Sequence, residues 1–230
     1  DDIAPSAPIA GSAAEPSFLV REDGIDYEVR LGDGLSTGLF LDQRENRRRV
    51  RELATGKRVL NLFCYTGSFS VAAAAGGAFE TTSVDVSTNA LEWTLRNLAR
   101  AGFEGEAHRV VSQDASKFLG RAARKGERFD LIVLDPPSFS STREGTFTVE
   151  RDYAPLAARC LELLAPGGVL FASTNHRATS EDRFRKILFD AGRAAGRAIA
   201  KIRSYGPASD FPPEPGRVPH LKSAFVTLAD

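Results

Sequence analysis

Aspartates close several of the apolar runs in this chain, and carboxylates at strand ends are its most evident chemical groups. Asp85 ends the run TTSVD, Asp114 follows RVVSQ, and Asp135 follows DLIVL. A carboxylate at the end of a buried strand can accept both hydroxyls of a ribose lying over the sheet edge, and Asp85 is suited to that role. Asp114 can accept from an adenine amino group, or cap the helix that ASKFL begins. Asp135 leads into Pro136-Pro137-Ser138-Phe139. Two prolines hold the chain extended and remove two backbone donors. The Asp135 side chain and neighbouring carbonyls, Pro136 included, are then a set of acceptors for a base, and Phe139 can stack on its ring.

The segment RVLNLFCYTGSF, residues 58–69, supplies the other half of the chemistry. Val59, Leu60, Leu62 and Phe63 form a short apolar strand without polar alternation, as expected where both faces are buried. Tyr65-Thr66-Gly67-Ser68 breaks it, and Ser68 or Ser70 can cap a helix running through VAAAA. Such a turn, at the carboxyl end of a parallel strand, is where open α/β sheets hold ligands. It lacks the three glycines of G-x-G-x-x-G, so a pyrophosphate approaching the backbone would meet a side chain. S-adenosylmethionine (AdoMet) has no pyrophosphate and needs only a tight bend.

The elements that must position these groups are legible as alternation. Residues 1–17 read as a flexible lead-in and 18–35 as a β-hairpin around Asp23-Gly24. Residues 36–230 form the main domain, with a basic helix to about Leu53 stopped at Gly56. Strands follow at 59–63, 81–86, 109–113, 129–135 and 168–174, separated by helices near 70–75, 89–101, 115–123, 153–164 and 181–195. Alternation of this kind predicts an α/β fold with a mostly parallel sheet covered on both faces. IAKIRSY (199–205) and SAFVTLA (223–229) are joined by a Pro-rich loop with no room for a crossover helix, which predicts an antiparallel pair. Five parallel strands plus such a pair is the layout of class I methyltransferases rather than dehydrogenases.

Composition narrows the classes further. At 230 residues, 42% hydrophobic and 26% charged, the chain can bury a full core. No apolar run approaches the ~18 residues of a membrane helix, and the acidic start is unlike a signal peptide. The absence of methionine implies a processed, trimmed or partial chain. Cys64 and Cys160 make no disulfide framework and the three histidines show no paired metal spacing, which suits a reducing cytoplasm and no metal. Zero net charge argues against a protein that wraps nucleic acid through a broad basic surface. Arg44, Arg47, Arg48, Arg49 and Arg51 read as a solvated helix face.

Together, TGLFLDQRENRR (37–48), LNLFCYTGSFSVAAAAGGA (60–78), SVDVSTNALEW (83–93), LDPPSFS (134–140), ERDYAPL (150–156) and the terminal DFPP and HLKSAF carry a specific resemblance. The chain resembles a class I, Rossmann-like AdoMet-dependent methyltransferase of the large-subunit (23S) ribosomal RNA group, and is most similar to the guanine-N7 half of the bifunctional enzyme. The resemblance implies a seven-stranded sheet and a cofactor site lined by Phe40, Asp42, Gln43 and Arg44, with Arg44 on the methionine carboxylate. It implies that Asn61, Phe63, Cys64, Tyr65, Thr66, Gly67, Ser68 and Phe69 wrap the methionine and ribose. Asp85, Val86 and Ser87 would hold ribose and adenine, with Asp114 and Ala115 closing on the adenine.

Two departures bear on the acceptor. Ser138 separates Pro-Pro from the aromatic, unlike base-amino methyltransferases, and Ser173-Thr174-Asn175-His176 has no cysteine where cytosine-C5 relatives carry their nucleophile. The expected reaction is methyl transfer to guanine N7 of ribosomal RNA, free or in a ribosome precursor, with Asp135, Pro136 and Phe139 handling the base. Arg143, Arg151 and Lys222 are the expected phosphate contacts. A base amino group, a cytosine carbon, a protein side chain, or non-catalytic RNA binding on the same fold are the alternatives.

Overall fold

The computed structural model describes residues 8, 10–32, 36–142, 145–213 and 216–229. Strands β1 (Phe18–Glu22) and β2 (Ile25–Val29) pair antiparallel. Asp23 and Gly24 both turn through positive φ, 51° and 82°, as a two-residue hairpin turn requires. Of the lead-in expected over 1–17, residues 1–7 and 9 lie outside the described residues, and the remainder carries no helix or strand.

A short 3-10 turn, Leu41–Gln43, enters helix α1 (Arg44–Leu53). The alternating part then runs β3 (Arg58–Leu62), α2 (Ser68–Ala75), β4 (Glu80–Asp85), α3 (Thr88–Arg100), β5 (His108–Ser112), α4 (Ala115–Arg124) and β6 (Phe129–Leu134). A hairpin follows, β7 (Phe139–Thr142) and β8 (Gly145–Thr148), then α5 (Val149–Leu163), β9 (Leu164–Thr174), α6 (Glu181–Ala194), β10 (Ile199–Tyr205) and β11 (Lys222–Leu228). The seven-stranded sheet has the order β10-β11-β9-β6-β3-β4-β5. Strands β3, β4, β5, β6 and β9 run parallel, while β11 is antiparallel to both β9 and β10. This is the Rossmann-like methyltransferase layout, with β11 inserted between β9 and β10.

The strands that lack alternation are buried on both faces, as their composition demands. Phe118 and Leu119 of α4, Tyr153 and Leu161 of α5, and Phe184 and Leu188 of α6 cover one face of the sheet. Val50 and Ala54, from α1 and the residue after it, cover the other with Phe69 and Ala73 of α2. The β1–β2 hairpin adds Ile25, Tyr27 and Val29 to a third cluster against Val71, Ala74 and Leu98. Ser87, Asp114 and Ser180 cap α3, α4 and α6 through their side chains.

Three local expectations need correction. The cap of α2 is Gly67, with φ 76° and no side-chain bond, because the Ser70 hydroxyl is taken by Asn61 and Ser83. The stretch after Asp135 is a hairpin, and α5 starts at Val149 rather than near Tyr153. The basic run of α1 is not a solvated face. Arg47 is buried and forks onto Glu22 at 2.6 and 2.7 Å, Arg48 pairs with Asp23, and Arg51 donates to the Asp23 carbonyl. Arg49 lies 4.0 Å over the Tyr205 ring, and Arg44 forks onto Asp210. These cations fasten the hairpin and the Pro-rich loop to α1.

Among the described residues no helix is long and apolar enough to cross a membrane, and no cluster of His, Cys, Asp or Glu could hold a metal ion. Removing one partner of a buried fork leaves an uncompensated charge. Glu22→Ala is therefore expected to destabilise the chain by about 3–5 kcal/mol in urea denaturation. A loss below about 1 kcal/mol, the range of exposed pairs, would place this fork outside the core.

Candidate active site at the carboxyl edge of the sheet

Strand β3 lies between β4 and β6, so the chain turns one way to build β4 and β5 and the other way to build β6 and β9. Ligands of open α/β sheets sit where that reversal opens a crevice at the strands' carboxyl ends. A cavity of about 800 Å³ occupies this place, and both Asp85 and Asp135 open onto it.

The floor is the turn after β3. Phe63, Tyr65 and Gly67 have φ of 56°, 50° and 76°, so every second residue is left-handed and two of them are aromatic. That conformation costs an L-residue roughly 1–2 kcal/mol and persists only where its surroundings impose it. They do so here. Cys64 N donates to the Val84 carbonyl, Gly67 N to the Cys64 carbonyl, Thr94 Oγ1 to the Tyr65 carbonyl, and Asn97 Nδ2 to the Thr66 carbonyl. Thr66 Oγ1 closes on the Gly38 carbonyl at 2.5 Å. A Cβ on Gly67 would come within 2.4 Å of Thr94 Cγ2, so glycine is required there by contact as well as by φ.

Asp85 accepts from the Tyr65 amide and the Ser87 amide, each at 3.0 Å. An ionised carboxylate has about four acceptor sites, so the two amides fix its direction and leave capacity for a ribose diol. Val86 beside it is half exposed on the cavity wall. Asp114 both caps α4, accepting from Lys117 N at 3.0 Å, and lines the cavity. The two roles expected of it are therefore compatible.

Asp135 faces the same space from the end of β6 and is held on both oxygens. Ser173 Oγ donates to Oδ1 at 2.6 Å and Gln43 Nε2 to Oδ2 at 3.1 Å. Asn46 Nδ2 donates to Gln43 Oε1 at 2.7 Å, which fixes the amide with its NH2 towards the carboxylate. Burial pushes the Asp135 carboxyl up to about 6; the Ser173 and Gln43 donors oppose the rise and the Asp42 carboxylate adds to it. On the next loop Ser138 Oγ donates to Asn175 Oδ1 at 2.5 Å, tying the Pro-Pro bend to the end of β9.

Of the cofactor residues expected from sequence, Phe40, Asp42, Gln43, Phe63, Cys64, Tyr65, Ser68, Phe69, Asp85, Val86 and Asp114 line this cavity. The others stand outside its wall. Arg44 is engaged by Asp210 in the Pro-rich loop, Asn61 bonds Ser70 inside the core, and Thr66 and Ala115 are buried. Gly67 packs on Thr94, and Ser87 caps α3. Pro136 lines the cavity with Asp135, whereas Phe139 is 64% exposed and its ring is not on the wall. Phe147 of β8 is on the wall, its ring 6.0 Å from that of Phe63. Phe147 carries no sequence signal of its own, because the strands of its hairpin are only four residues long. Ser173 belongs to the STNH stretch (173–176), but only the fold brings it to Asp135.

The expected phosphate contacts fare differently. Lys222 is buried, donates to the carbonyls of His176 at 2.7 Å and His220 at 3.0 Å, and burial lowers its pKa. Arg151 pairs with Asp152 at 2.8 Å, and Arg143 lies outside the described residues. Both cysteines are buried, which pushes their thiols well above the usual range.

The family pattern of S-adenosylmethionine-dependent methyltransferases matches residues 6–212, and the chain belongs to that family. The chain is 39% identical over 223 residues to the ribosomal RNA large subunit methyltransferase of Deinococcus radiodurans, covering 96% of this chain and 54% of that protein. It is 45% identical over 166 residues to ribosomal RNA large subunit methyltransferase K of Neisseria meningitidis, covering 71% of this chain and 47% of the relative. The crystal structure of SMU.776 complexed with SAH superposes with a TM-score of 0.86 at 35% identity, over 95% of this chain and 58% of that one. The SAM-dependent methyltransferase of Agrobacterium tumefaciens gives 0.80 at 26% identity, over 94% of this chain and 71% of its own. The chain thus spans about half the length of these curated relatives.

Asp85→Ala is expected to weaken AdoMet binding by about 1.5–3 kcal/mol, the worth of a hydrogen bond to a charged group. Calorimetry reads this directly, and an unchanged affinity would remove Asp85 from the site. Gln43→Leu deletes a donor to the ionised form of Asp135, so the carboxyl, already pushed up to about 6 by burial, should titrate higher in the variant than in the wild type by carbon-detected NMR. An unchanged or lower midpoint would mean that the amide does not act on it.

Proposed function

We propose that this chain transfers a methyl group from AdoMet to guanine N7 in large-subunit ribosomal RNA. The observation that carries the reading is the single cavity shared by Asp85, on the cofactor side, and the clamped Asp135 with Pro136, on the acceptor side. The similarity to named ribosomal RNA methyltransferases supports the class of acceptor. AdoMet supplies a methyl group already activated by its sulfonium.

Guanine N7 suits what the residues can do. It presents an unprotonated lone pair in the ring plane, so no general base is required, and alignment with exclusion of water carries most of the work. Methylation leaves positive charge on the ring. An ionised Asp135, directed by Ser173 and Gln43, stabilises that charge and can accept from the base's N–H donors. Pro136 contributes a carbonyl and no competing N–H. The rings of Phe63 and Phe147 offer an apolar wall for a flat group. A base must leave its stack to enter such a cavity. Covalent chemistry at cytosine C5 is disfavoured because Cys64 and Cys160 are buried with raised pKa values.

Incubation with a large-subunit ribosomal RNA transcript and AdoMet, then nucleoside mass spectrometry, should yield 7-methylguanosine; a methylated cytosine or amino group would overturn the N7 assignment. Asp135→Asn should lower kcat about 10²-fold or more with AdoMet affinity unchanged. The wild-type rate should fall as pH drops through about 6, where Asp135 takes up its proton and loses its charge. A rate flat from pH 5 to 8 would contradict a role for the carboxylate anion.

A further inference from the structure

The charged surface of this neutral chain is unevenly spent. The arginines of α1 are each engaged by a carboxylate, a carbonyl or a ring, as described above. Helix α4 differs in composition. Its sequence ASKFLGRAAR, followed by Lys125, has no acidic residue between the capping Asp114 and Glu127, and Glu127 is itself within 3.6 Å of Arg109. Ala115, Phe118, Leu119 and Ala122 face the core. Lys117, Arg121 and Arg124, spaced i, i+4 and i+7, therefore share the opposite face. Arg121 lies 5.1 Å over the edge of the core at the Phe118 ring, and Arg124 and Lys125 are exposed.

This stripe begins at the active-site cavity. Lys117 is part of the cavity wall, as is Arg159 of the neighbouring α5. Arg159 Nη1 reaches the Ser116 carbonyl at 3.4 Å, which joins the cation of α5 to the first turn of α4. Among the described residues Arg121, Arg124, Lys125 and Arg159 form no ion pair with a carboxylate. Helix electrostatics explain part of the pattern, since cations at the last turn complement the negative end of the dipole. They do not explain Lys117 at the positive end, or Arg159 brought beside it. A row of cations about 10 Å long, from 1.5 Å of rise per residue, spans more than one phosphate of a single strand.

We propose that the outer face of α4, with Arg159, is the track that binds the phosphate backbone of the substrate RNA leading into the active site. The inference rests on the RNA reading of the proposed function and replaces Arg151 and Lys222 as the phosphate contacts. The occupant is a polyanionic strand, not an acidic protein segment, because the row runs directly into the cavity that receives the acceptor base.

The test compares two double variants of equal charge change in the full chain. Arg121→Glu/Arg124→Glu lies on the track, and Lys201→Glu/Arg203→Glu lies on exposed positions of the edge strand β10. With a large-subunit ribosomal RNA transcript, the α4 variant should raise KM for RNA about tenfold or more and keep kcat at saturating RNA. It should also flatten the salt dependence of RNA affinity by about 1.4 in slope, for two lost single-strand phosphate contacts. AdoMet affinity should stay unchanged, which reports intact folding. Equal losses in both variants, or no loss on α4 while wild type methylates the transcript, would overturn the track. A wild-type chain that neither binds nor methylates the transcript would instead remove the RNA reading itself.

Discussion

The turn between β3 and α2 is the constraint on which the site depends. Two aromatic residues, Phe63 and Tyr65, are held in a conformation that usually belongs to glycine. Their combined cost, roughly 2–4 kcal/mol, is a sizeable share of the 5–15 kcal/mol by which a domain is stable. The bend brings the Tyr65 amide to 3.0 Å from the Asp85 carboxylate and starts α2 at Gly67. It also points two rings into the cavity, where glycines would leave open space. Tyr65 meets Phe40 at 5.7 Å and Phe63 meets Phe147 at 6.0 Å, so each strained residue anchors one wall. Bonds from α3 and the segment before α1 hold the turn from outside, which explains why Thr94, Asn97 and Gly38 matter to a site they do not line.

Asp135, across the cavity, is held in a comparable way by a buried polar relay. Ser223 of β11 gives its proton to the Tyr205 carbonyl at 2.9 Å and lies 3.3 Å from Asn46 Oδ1; Asn46 orients Gln43, and Gln43 orients Asp135. Tyr153 adds a bond to the Ser173 carbonyl at 3.0 Å behind the Ser173 that grips the other carboxylate oxygen. Insertion of β11 beside β9 therefore does more than complete the sheet. It sets Ser223 against α1, and so brings β11 to the side chains that hold the Asp135 carboxylate. A buried network of this type is stable only when each member has its partner, and here the side chains along the relay satisfy one another.

The sheet was legible because buried parallel strands read as short apolar runs and the last two strands lacked a crossover helix. The ranges expected for β3, β4, β5 and β6 agree with the structure to within a residue at each end, and β10 agrees at both. The carboxylates were legible too, since an acidic residue at the end of an apolar strand has few structural reasons to be there. What failed was pairing at a distance. Arg44 looks like a carboxylate partner, and it is one, but the carboxylate is Asp210, far along the chain. The arginine run of α1 looks solvated until the hairpin folds onto it. Lys222 looks like a surface cation and is a buried donor to two carbonyls. Hairpin β7–β8 escaped because its strands are four residues each, too short to show a period.

A crystal structure with sinefungin, which carries an amine in place of the transferable methyl, addresses the central claim most directly. The account predicts the ribose hydroxyls on Asp85, the adenine between Val86 and Asp114, and the amine directed into the space beside Asp135 and Pro136. An analogue bound with its amine directed away from Asp135, or bound outside this cavity, would contradict it.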